Sequence, residues 1–326
     1  MKKILCLILA LLSLCFVSCA DTDKVDTSCS HEFMGAKRYY CLKDGEDGKE
    51  IFTLDKCIRC NEQVKVKGQV VSGQTEVAPA LHKAKKGDVI YLKKSRYILI
   101  NVLRALEDVT FYAEDDTIVE EFRLAPEGQI KNITLRNIDF ITTSGGLIMM
   151  SDTDGINVID CAFEGGVQFA DSASGSPEIK NVSIQNTTFT KIANGNKLTA
   201  VRIKKVENFT MTNCTFDEVE YNAIQIGGTK LTGRITIKGN SFRETVSRVI
   251  HLANNEITSC DIVDNTFYSN MDFEGATGRY VHGYNGNIVI GMNRWEIIPE
   301  AIDDNFSGIS VGNATYDKSE QLLIEE

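Results

Sequence analysis

The chain has 326 residues, of which 43% are hydrophobic and 25% charged, so it has enough apolar material for a folded core. Its formal net charge of −10 disfavours wholesale non-specific binding to nucleic acid, which needs a basic surface. An anionic ligand would therefore have to be bound by a local basic patch.

The first residues are typical of a secretory signal. Two lysines precede an apolar run that ends at Val17, and this run is too short and wrongly flanked for a membrane span. The closing letters FVSC are similar to a lipobox, in which Cys19 becomes the lipidated first residue of the mature chain. The alternative is ordinary cleavage after Ala20, since small residues stand at both required positions.

Either route predicts an exported protein, with a signal segment over 1–19 and a polar tether over 20–28. The lipidated form would be held at the outer membrane or cell surface by its lipid anchor only. The other form would be secreted.

Residues 29–62 form a small module with two closely spaced pairs of candidate metal ligands. Cys29 and His31 are two positions apart, and Cys57 and Cys60 form a Cys-x-x-Cys pair. Four such ligands suit tetrahedral zinc, because each pair can close a small chelate. The set is large enough to close the site, so the zinc would be structural rather than catalytic.

With Cys41 between the two pairs, the module resembles short Cys/His modules that are repeated in bacterial cell-surface proteins. It departs from them at Asn61, where a glycine usually follows the last cysteine. The alternative is a disulfide framework, because four cysteines in an exported protein can pair in three ways. His31 would then be incidental.

A repeat occupies most of the remaining chain. An aromatic residue follows an Asn, Asp or Cys corner at intervals of 23 to 28 residues, at Phe140, Phe163, Phe189, Phe216, Phe242, Phe267 and Trp295. Short apolar–polar alternations stand before and after these corners. The pattern predicts a parallel β-solenoid of about ten coils over 66–316, in which the aromatic side chains stack inside the core. An acidic tail follows over 317–326. Cys161 and Cys214 are expected to be buried thiols two coils apart.

A short amphipathic helix is predicted at about Glu76 to Lys85, leading through Gly87 and Asp88 into the strand VIYL. It would cap the open first coil. This arrangement resembles the start of the right-handed parallel β-helix proteins of the pectate-lyase-like superfamily, over about residues 66–316. The resemblance implies an all-β, right-handed parallel β-helix. It implies no particular activity, because that superfamily contains lyases, hydrolases, adhesins and non-catalytic binders.

One outward row of side chains is the candidate functional site. Val201, Ile224, Ile250 and Val281 are expected to face the core. Alternation along each strand then directs the next residue outward, which gives an outward row of Arg202, Gln225, His251 and His282. Gln168 is expected before this row and Ser310 after it. The flanking candidates are Lys204, Arg248, Tyr280 and Tyr284. Residues 191–248 carry ten basic and five acidic side chains, which favours an anionic ligand on this part of an acidic protein.

We therefore expect an exported surface lipoprotein whose β-helix binds a carbohydrate or another cell-surface or host ligand, with no nucleic-acid partner. The alternative is a polysaccharide lyase that cleaves a uronate glycan by β-elimination. In that reaction Arg202 and Lys204 would neutralise the carboxylate and His251 would be the base. Tyr280 or His282 would be the acid.

Three absences favour binding over catalysis. The row has no facing pair of carboxylates, which disfavours an inverting glycoside hydrolase. It has no acidic calcium cluster, although Asp217, Glu218 and Glu220 lie together in an adjacent loop, so calcium stays an open possibility. The lysine and arginine motifs of the alginate and chondroitin lyases of this fold are not evident.

Overall fold

The computed structural model describes residues 31, 39–45, 48–171, 177–193, 195, 197–227, 231–252, 257–268, 279–283, 286–296, 309–310, 314–316 and 322–323. These fall into two compact units. One contains the described residues up to Leu42 together with Phe52–Lys65, and the other contains Lys43–Ile51 and the described residues from Val66 onward. The first strands in chain order are β1 (Tyr40–Gly45), β2 (Gly48–Thr53) and β3 (Lys65–Val66).

The solenoid is built around one long parallel sheet, which we call the first face. Each coil adds one strand to it, so that its 11 strands follow one another in chain order. They are β4 (Gly68–Val71), β5 (Val89–Leu92), β7 (Thr110–Ala113), β9 (Ile130–Arg136), β11 (Thr153–Ile159), β13 (Ile179–Gln185), β16 (Val206–Thr212), β19 (Leu231–Lys238), β22 (Ile257–Val263), β25 (Gly286–Gly291) and β28 (Ala314–Tyr316).

A second sheet of 15 strands begins with four long strands that serve two faces at once. These are β6 (Arg96–Arg104), β8 (Ile118–Glu127), β10 (Asp139–Met149) and β12 (Ala162–Asp171). After β12 each coil divides the long strand in two. The short strands that follow the aromatic corner, the second face, are β14 (Thr188–Ile192), β17 (Thr215–Val219), β20 (Ser241–Phe242), β23 (Thr266–Tyr268), β26 (Arg294–Glu296) and β29 (Leu322–Leu323).

The third face continues the other half of β12. Its strands are β15 (Val201–Ile203), β18 (Ile224–Ile226), β21 (Arg248–Leu252), β24 (Arg279–Gly283) and β27 (Ile309–Ser310), all in parallel register. The prediction of an all-β, right-handed parallel solenoid is confirmed. The coil count differs slightly. About seven turns carry the regular aromatic corner, and the first face gains further strands from coils at both ends that lack it.

The corner between the first and second faces explains the sequence repeat. Three residues before each aromatic, the backbone has a positive φ of 48° to 67°, at Asn137, Asp160, Asn186, Asn213, Gly239, Asp264 and Met292. Asn, Asp and Gly tolerate this left-handed conformation best, and it turns the chain so that the aromatic enters the core. The five successive ring pairs from Phe140 to Phe267 stack with centroids 4.5–5.2 Å apart, as predicted.

The position after the left-handed residue is buried and changes character along the solenoid. Cys161 and Cys214 occupy it in two earlier coils, where both are buried and neither forms a disulfide, as expected. In the last regular coils the position holds Asn240, Asn265 and Asn293, whose amides bond one another and the backbone inside the core. Each of these buried amides therefore finds its hydrogen-bond partners in the neighbouring coils.

One helix, α1 (Gln74–Lys83), packs its Val77, Ala80 and Leu81 into the core at the first coil. It lies two residues earlier than predicted. The Glu76 carboxylate accepts a hydrogen bond from the Ser72 backbone N–H at 2.6 Å, and Lys85 is drawn into a turn with Asp88. Within the described residues, no helix combines the length and the hydropathy that crossing a membrane requires.

Candidate functional site

The predicted outward row is aligned strand by strand on the third face. The register pairs Arg202 with Gln225, Gln225 with His251, His251 with His282, and His282 with Ser310. Neighbouring strands of a sheet lie about 4.8 Å apart, so these positions form a straight file along the solenoid. The register places Ala170 before Arg202 in the file, so the expectation that Gln168 precedes Arg202 was wrong by two residues.

The pleat sets the direction of these side chains. On β15, β18 and β21 the residues on either side of the file, such as Ile224 and Ile226, are fully buried, whereas Arg202, Gln225 and His251 are half-buried. Because side chains alternate along a strand, the file faces outward. His282 occupies the same register position on β24.

Tyr280 was predicted to flank the file on the outside, and this is wrong. Its side chain is 1% exposed and meets the edge of the Phe267 ring, with centroids 6.1 Å apart. The residues at the same place in the preceding coils, Ala200, Ala223 and Val249, are buried too. In each of these coils two consecutive residues are buried, as Tyr280 and Val281 are, so the alternation of the strand is interrupted at this place.

The remaining predicted residues lie near the file, with one exception. Lys204 follows β15 directly and is half-buried, and Arg248 begins β21 and is also half-buried. Tyr284 lies outside the described residues. Arg248 pairs in register with Arg279 on the next strand, which places two more cationic residues beside the file.

Sequence reasoning missed Asn222, which positions two members of the site. It is fully buried, its amide nitrogen lies 3.2 Å from the Gln225 Oε1, and its Oδ1 accepts the Arg248 backbone N–H at 3.1 Å. The available signal was a polar residue two positions before the strand Ile224–Ile226, where the intervening Ala223 is buried. A buried amide at such a place needs hydrogen-bond partners.

The basic residues of this region differ in whether they are neutralised. Four that lie away from the file are ion-paired: Lys191 with Glu164, Lys205 with Glu178, Arg234 with Asp261, and Lys238 with Asp264. Arg202 and Arg248 are in no ion pair within the part of the chain that the structure describes, and the Nε of each is buried without a hydrogen-bond partner there. Two guanidinium groups without a neutralising carboxylate therefore lie in and beside the file.

A second candidate site lies in the smaller unit. The ligand atoms of His31, Cys57 and Cys60 are all within 4.8 Å of one another, and His31 Nδ1 lies 3.5 Å from Cys60 Sγ. The Arg59 N–H donates to Cys57 Sγ at 3.4 Å, a contact that stabilises a thiolate. Asn61 has a positive φ of 58°, so it adopts the conformation for which glycine is usual at this place.

Cys29, the predicted fourth ligand, and Cys19, the predicted lipidation site, lie outside the described residues. Cys41, Cys57 and Cys60 form no disulfide with one another. Cys41 stands apart from the cluster, with its sulfur 3.9 Å from the Gln63 Nε2.

Comparison with known proteins concerns the solenoid. The family model described as the right handed beta helix region matches residues 124–294. Among solved structures, a mutant of AlyGC, a PL6 family alginate lyase, is similar over 75% of this chain, with 14% sequence identity and a TM-score of 0.42. The match spans 40% of the length of that lyase. No curated protein matches.

Proposed function

The chain belongs to the right-handed β-helix family, and we propose that it binds an acidic polysaccharide or a similar cell-surface ligand along the third face. The observation that supports this most is the selective pairing of charge. Four basic residues elsewhere in the region are paired with carboxylates, whereas Arg202 in the file and Arg248 beside it have no such partners among the described residues. An anionic polymer lying along the solenoid would meet both.

The ligand would contact the file in successive coils. Arg202 and Arg248 would bind carboxylate or sulfate groups, and Gln225 would donate to a hydroxyl or ring oxygen. Lys204, His282 and Tyr284 are proposed to extend the same contact. Asn222 would act through Gln225 and Arg248, which it holds in place.

Binding is tested by affinity electrophoresis and calorimetry with polygalacturonate, alginate and hyaluronate, with dextran as the neutral polymer. A charged hydrogen bond contributes about 1.5–3 kcal/mol, so Arg202→Ala should weaken binding about 10- to 150-fold. Lys191→Ala is the matched control, because it removes an exposed basic residue that is ion-paired on the second face. Equal losses in the two variants, or equal binding of dextran, would contradict the proposal.

A uronate lyase is the second candidate, and the placement of Arg248 and His251 on one strand, β21, favours it. Arg202 lies two strands away from His251, or roughly 9.6 Å, and Arg248 lies three residues along the same strand, or roughly 10 Å. Either guanidinium is therefore a candidate to neutralise the carboxylate. Tyr280, being buried, cannot be the acid, which leaves His282 for that step. Incubation with the three uronate polymers, followed by absorbance of the unsaturated product, decides the matter. Absence of product from all three excludes the lyase.

We also propose that Cys29, His31, Cys57 and Cys60 bind a structural zinc ion that closes the small module. Thiolate and imidazole ligands at these mutual distances suit tetrahedral coordination. The ion would link the Cys-x-x-Cys turn to the segment around His31. No calcium site is proposed, because Asp217 and its neighbours form no such cluster among the described residues.

Export and lipidation are proposed on the N-terminal sequence. Cys19 would carry the lipid, and the protein would be held at the outer membrane or cell surface. Globomycin-sensitive processing and membrane fractionation test this, with Cys19→Ala expected in the soluble fraction. A Cys19→Ala protein that stays membrane-bound would contradict the lipid anchor.

A further inference from the structure

A separate cavity lies at the N-terminal end of the solenoid, away from the file. It measures about 530 Å³ and is formed by α1 together with residues of β2, β4 and the segment after β5. All of its lining residues belong to the larger unit. The residues that matter below are Lys49, Gln69, Thr75, Glu76, Lys83 and Lys93.

The three lysines in this cavity differ from the other basic side chains around them. Just outside it, Lys86 pairs with Glu107 at 2.5 Å, Lys94 with Asp116 at 2.6 Å, and Arg96 with Glu120 at 2.6 Å. Lys49, Lys83 and Lys93 are in no ion pair or side-chain hydrogen bond within the described residues. Three ammonium groups thus share one concave site without a counter-charge of their own.

The single carboxylate in the cavity is already engaged. Glu76 accepts the Ser72 backbone N–H at 2.6 Å, which fixes it at the start of α1. Counting it in full, the site carries a formal charge of +2. A phosphate monoester carries about −1.5 to −2 at neutral pH, so it matches this charge, whereas a single carboxylate would leave the site positive.

We propose that this cavity binds a small molecule that carries a phosphate monoester. Lysine ammonium groups bind phosphate as point charges. Their combined attraction for an anion is strongest where they line a concave site. The volume is within the usual range for small-molecule sites and exceeds that of phosphate alone. Gln69 and Thr75 line the remaining space and suit a polar body such as a sugar.

This site is independent of the polysaccharide-binding proposal. Its residues lie before residue 94, whereas the file begins at Ala170. The two can therefore fail separately.

Calorimetry on the full mature chain tests the site with glucose 6-phosphate, inorganic phosphate and glucose. Saturable binding of both phosphates, with no heat from glucose, is the expected result. The double variant Lys83→Gln/Lys93→Gln should weaken it about tenfold or more, because it removes two of three cations. Lys86→Gln/Lys94→Gln is the matched control, since those lysines are equally near the end of the solenoid but ion-paired, and it should change binding little.

Three calorimetric results would overturn the proposal. They are unchanged affinity in Lys83→Gln/Lys93→Gln, an equal loss in the control, and binding of glucose as tight as that of its phosphate. Thermal melts of both double variants show whether the coil is intact, and Lys49→Gln gives a second measurement if the double variant fails to fold. Binding to phosphatidylglycerol vesicles without binding of either soluble phosphate would also overturn it, since that would indicate a membrane-facing basic patch.

Discussion

Replacing Asn265 with alanine should destabilise the solenoid strongly, although the residue contacts no ligand. Asn265 is fully buried in the core of its coil. Its Oδ1 accepts the Asn240 backbone N–H at 2.9 Å and the Asn240 side-chain amide at 3.0 Å. Its own amide donates to the Ile237 carbonyl at 2.9 Å and to Asn293 Oδ1 at 3.0 Å.

The magnitude follows from what the substitution leaves without a partner. The Asn240 N–H loses its acceptor in a dry core, which costs about 1–3 kcal/mol. The bond to the Ile237 carbonyl contributes about 0.5–1.5 kcal/mol more. The Asn240 side chain keeps the Met211 carbonyl at 3.2 Å, and Asn293 Oδ1 keeps the Asn265 N–H, so these two groups lose less. We expect a total loss of about 3 kcal/mol in the free energy of unfolding.

Urea unfolding followed by circular dichroism measures this loss, and hydrogen exchange of the Asn240 amide localises it. Local exchange matters because coils of a solenoid can unfold in part rather than all at once. Asn157→Ala is the control. Its half-buried side chain makes one amide contact, to Asn132 Oδ1 at 3.3 Å, and its loss should cost about 0.5 kcal/mol or less. A similar cost in both variants, or unchanged exchange at Asn240, would refute the reasoning.

Three further predictions concern other parts of the chain. The module around Cys57 should lose its fold on treatment with a zinc chelator and keep it under a mild reductant, as seen by proteolysis; the opposite pattern would favour disulfides. Gly239→Ala should lower the free energy of unfolding by about 1–2 kcal/mol, because φ is +67° and the new Cβ would meet Asn213 Oδ1 at 2.7 Å. Gly239→Asn should cost less, because asparagine tolerates a positive φ better than alanine does. The urea midpoints of the two variants measure this difference. Burial raises the pKa of both the Cys161 and Cys214 thiols to about 12. The unfolded chain releases these protons near pH 9, whereas the native state holds them up to about pH 12, so the free energy of unfolding is unaffected below about pH 9 and falls between pH 9 and 12. A Cys161→Ala/Cys214→Ala protein should lose stability less steeply across that range.

Much of the fold could be predicted because one coil constrains the next. A parallel solenoid places each residue against its counterpart one coil away, so Phe163, Phe189 and Phe216 repeat in the sequence because they stack in the core. The same logic gave the direction of Arg202, Gln225 and His251 from alternation alone. Alternation fails near the start of β24, where the consecutive residues Tyr280 and Val281 are both buried. The counterparts of Tyr280 in the preceding coils, Ala200, Ala223 and Val249, could have indicated that this position is buried, since none of them is polar.

The binding surfaces were harder to predict because they depend on which charges are already neutralised. In sequence, Lys191 and Arg202 are equivalent basic residues of one region. In the structure Glu164 lies beside Lys191, and no carboxylate pairs with Arg202 among the described residues. A local excess of basic residues therefore says little about the ligand until the ion pairs are known. The same reasoning separates Lys83, the last residue of α1, from Lys86, which lies in the turn three residues later. On a solenoid, where the core fixes the inward residues, the unpaired outward charges are the part of each coil that is left to specify a ligand.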